Sequence, residues 1–335
     1  MNRVTRPTSR LLAVLLAFGL AAAACGSSSS DATGAEEAEA DNNPAENSSD
    51  EASADADASQ ADSSSDEGSV DEVESTEEEM RIVAISPTAT EMLFAIGAGD
   101  LVVAADSFSN YPADAPTTDI SAFEPSLEAI AAFDPDYVVM SYDPSDIVAG
   151  LEQLGIIAVV MPAAASLDDV YGQIADLGIA TGHEDEAASL VAEIRSGIDE
   201  VVAGVDTSAP PIRVYHEIDD TFYSATTSSF IGQLYGLLGV ENIADAADPD
   251  NASFGYPQLS PEYLIEADPQ LIVITDQVGY DADAVAARPG WDVISAVQND
   301  GIVQVDADIA SRWGPRIVEF LEVMSEAVEA QMANA

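Results

Sequence analysis

Short apolar runs alternate with amphipathic segments along residues 80–335. The short runs are apolar at successive positions, which is typical of parallel strands that helices cover on both faces. The longer segments repeat apolar residues every three or four positions, which predicts helices. This alternation predicts an α/β fold with mostly parallel sheets. The predicted strands lie at 82–85, 101–105, 137–140, 156–160, 212–217, 242–244, 271–274 and 302–305.

One unit occurs twice, as SLEAIAAFDPDYVVM at 126–140 and as SPEYLIEADPQLIVI at 260–274. In each copy Ser can cap a short helix, and a Glu lies in the first turn, where the helix dipole favours a negative charge. The helix ends before Asp-Pro, and a buried strand follows. The repeat predicts two similar lobes. The matched Glu128 and Glu262 indicate either dipole compensation alone or a partner that touches both lobes.

A long amphipathic segment, 184–205, lies between the two copies, and apart from Gly197 nothing in it interrupts the helical pattern. It predicts one rigid helix that joins the lobes. The expected organisation is an N-terminal lobe at 80–182, a connecting helix at 183–206 and a C-terminal lobe at 207–335. Further helices are predicted at 90–96, 146–154, 167–181, 230–238, 281–287, 291–297 and 315–332.

The N-terminus has the pattern of a secretory signal. Three arginines precede the apolar run 11–24, which is too short to span a bilayer comfortably. Ala22-Ala23-Ala24-Cys25-Gly26 looks like a lipobox, although Leu is commoner at the first position. We expect a signal peptide at 1–24 and a lipid on Cys25, the only cysteine of the chain. An ordinary cleaved signal with an incidental cysteine is the alternative.

Residues 26–79 contain 19 acidic residues and no basic one, with few large apolar side chains. Such a segment cannot bury enough apolar surface to fold, which predicts a disordered tether. Lysine is absent from the chain, and the formal net charge is −53. This charge disfavours nucleic acids and anionic membrane surfaces as partners. It also suggests adaptation to high ionic strength, where salt screens the repulsion between acids.

Six segments in order resemble the substrate-binding proteins of ABC importers for iron–siderophore complexes and cobalamin. The segments are RIVAISPTATEMLFAIGAGD (81–100), SNYPADA (109–115), PSLEAIAAFDPDYVV (125–139), FIGQLYGLLGVENI (230–243), YPQLSPEYLIEADPQLIVIT (256–275) and GPRIVEFLE (314–322). The resemblance implies a class III periplasmic-binding-protein-like fold: two α/β lobes, one connecting helix and a ligand in the cleft. It further implies a monomeric lipoprotein on the outer face of the cell membrane that serves a permease and its ATPase.

The resemblance also implies roles for individual residues. Family members dock on the permease through one acidic residue in each lobe, and Glu128 and Glu262 stand at those positions. Phe123 and Trp313, among the expected cleft residues, could instead be packing residues. The residues expected to line the cleft are Pro87, Thr88, Asn110, Tyr111, Phe123, Tyr142, Tyr223, Tyr256, Arg312 and Trp313.

The charge of the folded part bears on the ligand. Only six arginines occur after residue 80, and only Arg312 is expected on a cleft loop. A strongly anionic triscatecholate–iron complex needs several basic groups. We therefore expect a neutral or weakly charged chelate of iron or cobalt, such as a corrinoid or a hydroxamate–iron complex. Beyond the N-terminal lipid, no covalent cofactor is expected.

Other functions remain open on the sequence. A receptor for a bare metal ion needs several His and carboxylate ligands, and His216-Glu217 with Asp219-Asp220 is the best candidate cluster. In a haem receptor, Tyr111 or Tyr142 could bind iron, although Phe123 stands where haem-binding relatives have a Tyr. A lipid-anchored scaffold without transport is a further class. An enzyme is not expected, because no nucleophile elbow, glycine-rich phosphate loop or H-E-x-x-H motif is present.

The acidic composition yields a first prediction. The melting temperature of the protein is expected to rise as NaCl increases from low to molar concentration, because salt screens repulsion among the acidic side chains. Differential scanning calorimetry at several salt concentrations measures this, and a flat or falling trend would contradict the salt adaptation.

Overall fold

The structure, a computed structural model, describes residues 79–206 and 208–334. The predicted signal peptide 1–24, the predicted lipidation site Cys25 and residues 26–78 of the predicted tether lie outside the described residues. Within the described ranges, no helix has both the length and the apolar character needed to cross a bilayer.

Two four-stranded parallel sheets form the framework. The strands are β1 (Ile82–Ile85), β2 (Val102–Ala105), β3 (Tyr137–Met140), β4 (Ile157–Val160), β5 (Arg213–His216), β6 (Glu241–Asn242), β7 (Leu271–Thr275) and β8 (Ile302–Val305). The first sheet has the order β2-β1-β3-β4 and the second has the order β6-β5-β7-β8. Corresponding strands thus occupy the same place in the two sheets, as a duplicated lobe requires.

Helices surround both sheets. They are α1 (Pro87–Ala95), α2 (Leu127–Ala131), α3 (Ile147–Gln153), α4 (Leu167–Thr181), α5 (Glu184–Gly204), α6 (Phe230–Leu237), α7 (Ile243–Ala247), α8 (Pro261–Ala267), α9 (Ala282–Ala286), α10 (Ser295–Gln298), α11 (Ala307–Ser311) and α12 (Ile317–Asn334). Short 3₁₀ turns lie at Gly99–Leu101, Pro144–Asp146, Asp276–Val278 and Trp291–Val293. We call β1–β4 with α1–α4 the N-lobe, and β5–β8 with α6–α12 the C-lobe.

Helix α5 joins the two lobes and packs against α4 of the N-lobe and α12 of the C-lobe. Its buried residues are Ala187, Ile194 and Ile198. They belong to one apolar cluster that also contains Ile82 of β1 and Phe320 of α12. Because both lobes share this core, a large movement between them would expose apolar surface to water, which the hydrophobic effect opposes.

The two copies of the sequence unit fold alike. The hydroxyls of Ser126 and Ser260 accept hydrogen bonds from the backbone N–H three residues later, at 3.3 and 3.1 Å. A left-handed Asp follows each short helix: Asp268, with φ of 46°, is the C-cap of α8, and Asp134, with φ of 48°, lies three residues after the end of α2. A central strand, β3 or β7, follows in each lobe. The local duplication that the sequence predicts is therefore present in the backbone itself.

An arginine extends this duplication to the preceding strand. Arg81 and Arg213 stand at equivalent places, immediately before β1 and at the start of β5. The Nε of Arg81 donates to the carbonyl oxygen of Asp134 at 3.0 Å, and the Nε of Arg213 donates to that of Asp268 at 2.9 Å. Each guanidinium thus ties the start of its strand to the turn that opens the next one.

Four elements differ from the sequence prediction. The helix predicted at 291–297 is a 3₁₀ turn at Trp291–Val293 followed by α10. Helix α1 begins at Pro87 rather than near 90, because Ser86 caps it and Pro is favoured at the first helical position. The predicted strand 242–244 continues only through Asn242, whose side chain caps α7. Helix α11 was not predicted; Asp306 caps its N-terminus.

A buried ionic network connects the lobes. The carboxylate of Glu91 on α1 is 1% exposed and accepts from Nη1 of Arg312 at 2.6 Å and from Nη2 of Arg316 at 2.7 Å. Arg312 also pairs with Asp308 at 2.7 Å and donates to Oδ1 of Asn110 at 2.9 Å. Glu91 and Asn110 belong to the N-lobe, and their three partners belong to the C-lobe. The network therefore fixes the position of one lobe against the other.

Removing the central carboxylate should destabilise the protein strongly. We expect Glu91→Leu to lower the free energy of unfolding by about 3–5 kcal/mol, because both arginines lose a buried partner. Urea denaturation measures this change. The matched control, Glu128→Leu, alters an exposed glutamate on α2 and should leave the stability unchanged. Equal effects of the two substitutions would contradict a structural role for the network.

Candidate functional site

A cavity of about 760 Å³ lies mainly against the C-lobe, where strands β5, β7 and β8 end. One wall comes from the N-lobe: Ala163, Ala164 and Ala165 follow the end of β4. Carboxyl ends of parallel strands form a common place for ligands, because the loops there converge. The cavity is further lined by His216, Ile218, Asp219, Asp220, Ser228, Ser229, Phe230, Ile231, Phe254, Tyr256, Thr275, Gln277, Val278, Ala307, Ala310, Ser311 and Trp313.

Seven exposed aromatic side chains lie on loops, five of them on loops that follow β2, β3 and β5 and two in the loop between α7 and α8. Exposure of aromatic side chains to water costs free energy. Seven of them on the loops of one protein therefore indicate a surface that binds a ligand or a partner. In a ligand pocket the same rings supply broad apolar contact. These seven are Phe108, Tyr111, Phe123, Tyr142, Tyr223, Phe254 and Tyr256.

Two of the residues predicted from the sequence, Tyr256 and Trp313, line the cavity. The indole nitrogen of Trp313 donates to Oε1 of Gln173 on α4 at 3.1 Å, which is a further contact between the lobes. Tyr142 and Tyr223 are exposed on loops that follow β3 and β5. These two residues do not line the cavity.

The remaining predicted residues of the N-lobe have several environments. Pro87 is partly buried at the start of α1, and Thr88 beside it is buried. Tyr111 lies under the guanidinium of Arg316, with 4.2 Å from the carbon atom Cζ to the ring centroid. Phe123 is 64% exposed and meets the ring of Phe108 edge-on at 5.9 Å, so it is not a core residue.

Asn110 is exposed, and its side chain is hydrogen-bonded to two residues of the C-lobe. Its amide nitrogen donates to Oδ2 of Asp308 at 2.8 Å, and its Oδ1 accepts from Arg312. The expectation that Arg312 supplies a basic group to the cleft needs correction. Its side chain is only 9% exposed and pairs with Glu91 and Asp308. A partner more than two hundred positions away along the chain cannot be read from local sequence.

The other arginines of the described residues are also engaged. Arg195, Arg213, Arg288 and Arg316 pair with Asp168, Asp268, Glu217 and Glu91, respectively. Arg81 donates to backbone carbonyl oxygens. The cavity itself is lined by two acidic residues and by no arginine among the described residues. Its walls therefore offer no positive charge to an anionic ligand.

His216 at the end of β5 lines the cavity and is 5% exposed. Its Nδ1 is 2.8 Å from the hydroxyl oxygen of Tyr235 on α6. Burial lowers the pKa of His216 to about 4, because the charged imidazolium would lose its hydration. The ring is thus neutral at pH 7.

The neighbouring Glu217 is fully buried and bonded elsewhere. Its oxygens accept from both terminal nitrogens of Arg288, at 2.6 and 2.7 Å, and from the hydroxyl of Tyr280. This bidentate pairing removes Glu217 from the bare-metal cluster considered from the sequence. Within the described residues, no group of three or more His, Cys, Asp or Glu side chains is arranged to hold a metal ion.

Several cavity residues were not singled out from the sequence. Phe254 is 86% exposed, and a large aromatic residue between Ser253 and Gly255 in the loop after α7 is a signal that could have identified it. The small wall Ala163–Ala165 carries no such signal. Glu128 and Glu262 are both exposed in the first turns of α2 and α8.

Comparisons with known proteins agree with this geometry. A family model described as periplasmic binding protein matches residues 82–309. A cobalamin-binding protein of Halobacterium salinarum is 32% identical over 269 residues, which cover 77% of this chain and 69% of that protein. The uncharacterized ABC transporter substrate-binding lipoprotein YvrC of Bacillus subtilis is 28% identical over 262 residues, which cover 75% of this chain and 81% of YvrC.

A solved structure shows the same fold. A possible iron-binding (periplasmic solute-binding) protein from Staphylococcus epidermidis has a TM-score of 0.65 and 25% sequence identity, and the match covers 74% of this chain and 98% of that one. The family match spans more than half of the chain and includes strands of both lobes. The predicted fold class and the resemblance noted in the sequence are therefore confirmed, and this chain belongs to the periplasmic binding protein family.

Proposed function

We propose that this protein is the extracytoplasmic receptor of an ABC importer and that it captures a neutral or weakly charged metal chelate between its lobes. The observation that carries the proposal is a cavity of about 760 Å³ lined without arginine among the described residues, in a molecule whose loops carry seven exposed aromatic residues. Relatives named as cobalamin-binding and as an ABC transporter substrate-binding lipoprotein support the same class. The ligand would contain cobalt or iron.

The walls of the cavity favour a bulky and largely apolar guest. Phe254, Tyr256 and Trp313 supply aromatic faces, and the facing alanines leave room between the lobes. Polar groups such as Gln277 and Ser311 can fix orientation by hydrogen bonding. Asp219 and Asp220 would repel an anionic complex. The family consists of binding proteins, and capture of a ligand needs no catalytic group.

The cellular arrangement follows from the sequence expectations. Removal of the signal peptide 1–24 and acylation of Cys25 would anchor the protein to the outer face of the cell membrane. Residues 26–79 would then connect the lipid anchor to the lobes. The lobes, 80–182 and 207–335 with the connecting helix 183–206 between them, would act as a monomer. Glu128 and Glu262 would each contact the permease, one from each lobe.

Ligand class is tested by quenching of tryptophan fluorescence in the full-length chain. Cobalamin or a ferrioxamine-type chelate should bind more tightly than ferric enterobactin, because the cavity offers no cation to a triscatecholate. Trp313 lines the cavity, whereas Trp291 is 2% exposed in the core of the C-lobe. Quenching should therefore fall sharply in Trp313→Phe. Tighter binding of ferric enterobactin would refute the charge argument.

Docking on the permease is tested by measuring chelate binding and stimulation of the importer separately. Glu128→Arg and Glu262→Arg should bind the chelate as the wild type does, because neither residue lines the cavity. Each should fail to stimulate the ATPase of the importer reconstituted in vesicles, because the substitution replaces an attractive charge with a repulsive one. Glu266→Arg, at another exposed position of α8, is the matched control. Unchanged stimulation by both docking variants would disprove these contacts.

A further inference from the structure

His216 has one ring nitrogen that the protein leaves without a partner. Its Nδ1 is bonded to Tyr235, whereas its Nε2 has no hydrogen bond to any described residue. The described polar side-chain atoms that are both enclosed and unpartnered are the hydroxyls of Tyr215 and Ser224. Because Nε2 is not among them, it is not fully enclosed, and the space that the ring borders is the cavity.

The imidazole is also held in one orientation. The hydroxyl of Tyr235 lies 2.8 Å from Nδ1, and the two ring centroids are 5.8 Å apart. When Nδ1 donates to that hydroxyl oxygen, the lone pair of Nε2 is directed away from the bond. A metal-binding histidine usually donates a hydrogen bond from the ring nitrogen that does not bind the metal, and this bond fixes the orientation of the ring. Imidazole is a good ligand for iron and for other first-row transition metals.

We propose that Nε2 of His216 binds axially to the metal of the transported chelate, which is therefore a planar macrocyclic complex with an exchangeable axial ligand. This inference rests on the proposed function and narrows its substrate class. In the binding step a nitrogen lone pair forms a bond to the metal, and a water molecule leaves with the electron pair that had bound it. No electron is transferred, and the metal keeps its oxidation state.

The same step sets a preference between chelates. A hexadentate hydroxamate complex has no exchangeable position, so His216 adds nothing to its affinity. A corrinoid or a haem has such positions, and the flat faces of Tyr256 and Trp313 suit either ring. The two carboxylates Asp219 and Asp220 in the cavity favour the corrinoid, because haem carries two anionic propionates.

Absorption spectroscopy of the full-length chain tests the metal bond. Diaquocobinamide, with water at both axial positions, should bind with a shift of its visible bands. His216→Gln should lose the shift and bind about tenfold more weakly, a difference of about 1.4 kcal/mol. His183→Gln alters the chain's other histidine and should behave as the wild type. Dicyanocobinamide in excess free cyanide, which keeps both axial positions occupied, should bind all three proteins without a shift.

A second measurement does not depend on any variant folding correctly. Cob(II)inamide has no axial nitrogen of its own, so the wild-type complex should show nitrogen superhyperfine splitting in its electron paramagnetic resonance spectrum. Bound cobinamide without splitting, or a full shift in His216→Gln, would overturn the axial bond and leave the proposed function intact.

A parallel titration with haem distinguishes a porphyrin from a corrinoid as the bound macrocycle. A Soret shift that His216→Gln abolishes, with no cobinamide binding, would support the axial bond and assign the ring to a porphyrin. Failure to bind cobinamide, cobalamin, haem and ferrioxamine alike would overturn the proposed function itself.

Discussion

The buried pairing of Glu91 with Arg312 and Arg316 is the interaction on which the arrangement of this molecule depends. A carboxylate removed from water requires compensation, and here two guanidinium groups from the other lobe provide it. The pairing has two consequences. It fixes the lobes relative to each other, and it pairs Arg312 and Arg316, which flank the cavity residue Trp313 in sequence, with a buried carboxylate. Lobe geometry and the charge of the site are thus set by one network.

The apolar core acts in the same direction. Helix α5 packs against α4 and α12, and its buried face belongs to a cluster that contains strands of both sheets. Opening of the lobes would break ionic pairs and expose this core at the same time. A receptor built in this way recognises its ligand with a largely preformed surface, so that little binding energy is lost to ordering the protein.

Much of this fold could be predicted from the sequence because its causes are local. The repeated Ser-x-Glu and Asp-Pro pattern specifies a capped helix, a left-handed turn and a strand, and all three appear in both lobes. The ion pairs between distant residues could not be predicted from the sequence in this way. Arg312 stands in a loop-like segment, and its partner Glu91 comes from the first helix of the other lobe. Similarly, nothing near Arg288 in sequence points to Glu217 at the end of β5. Such contacts depend on how the chain folds as a whole.

In the proposed receptor, specificity would arise as much from the absence of free cations among the described residues as from the groups that line the cavity. Every arginine of the described residues already has a partner, so an anionic guest would meet carboxylates and aromatic faces without a compensating charge. Discrimination by unfavourable contacts is a common way to exclude close competitors. In that setting the proposed metal bond from the neutral imidazole of His216 would contribute to selection, because a neutral nitrogen donor does not repel an anionic group. An acidic and arginine-depleted receptor can therefore still select a metal complex, provided that the metal itself has a position open to nitrogen.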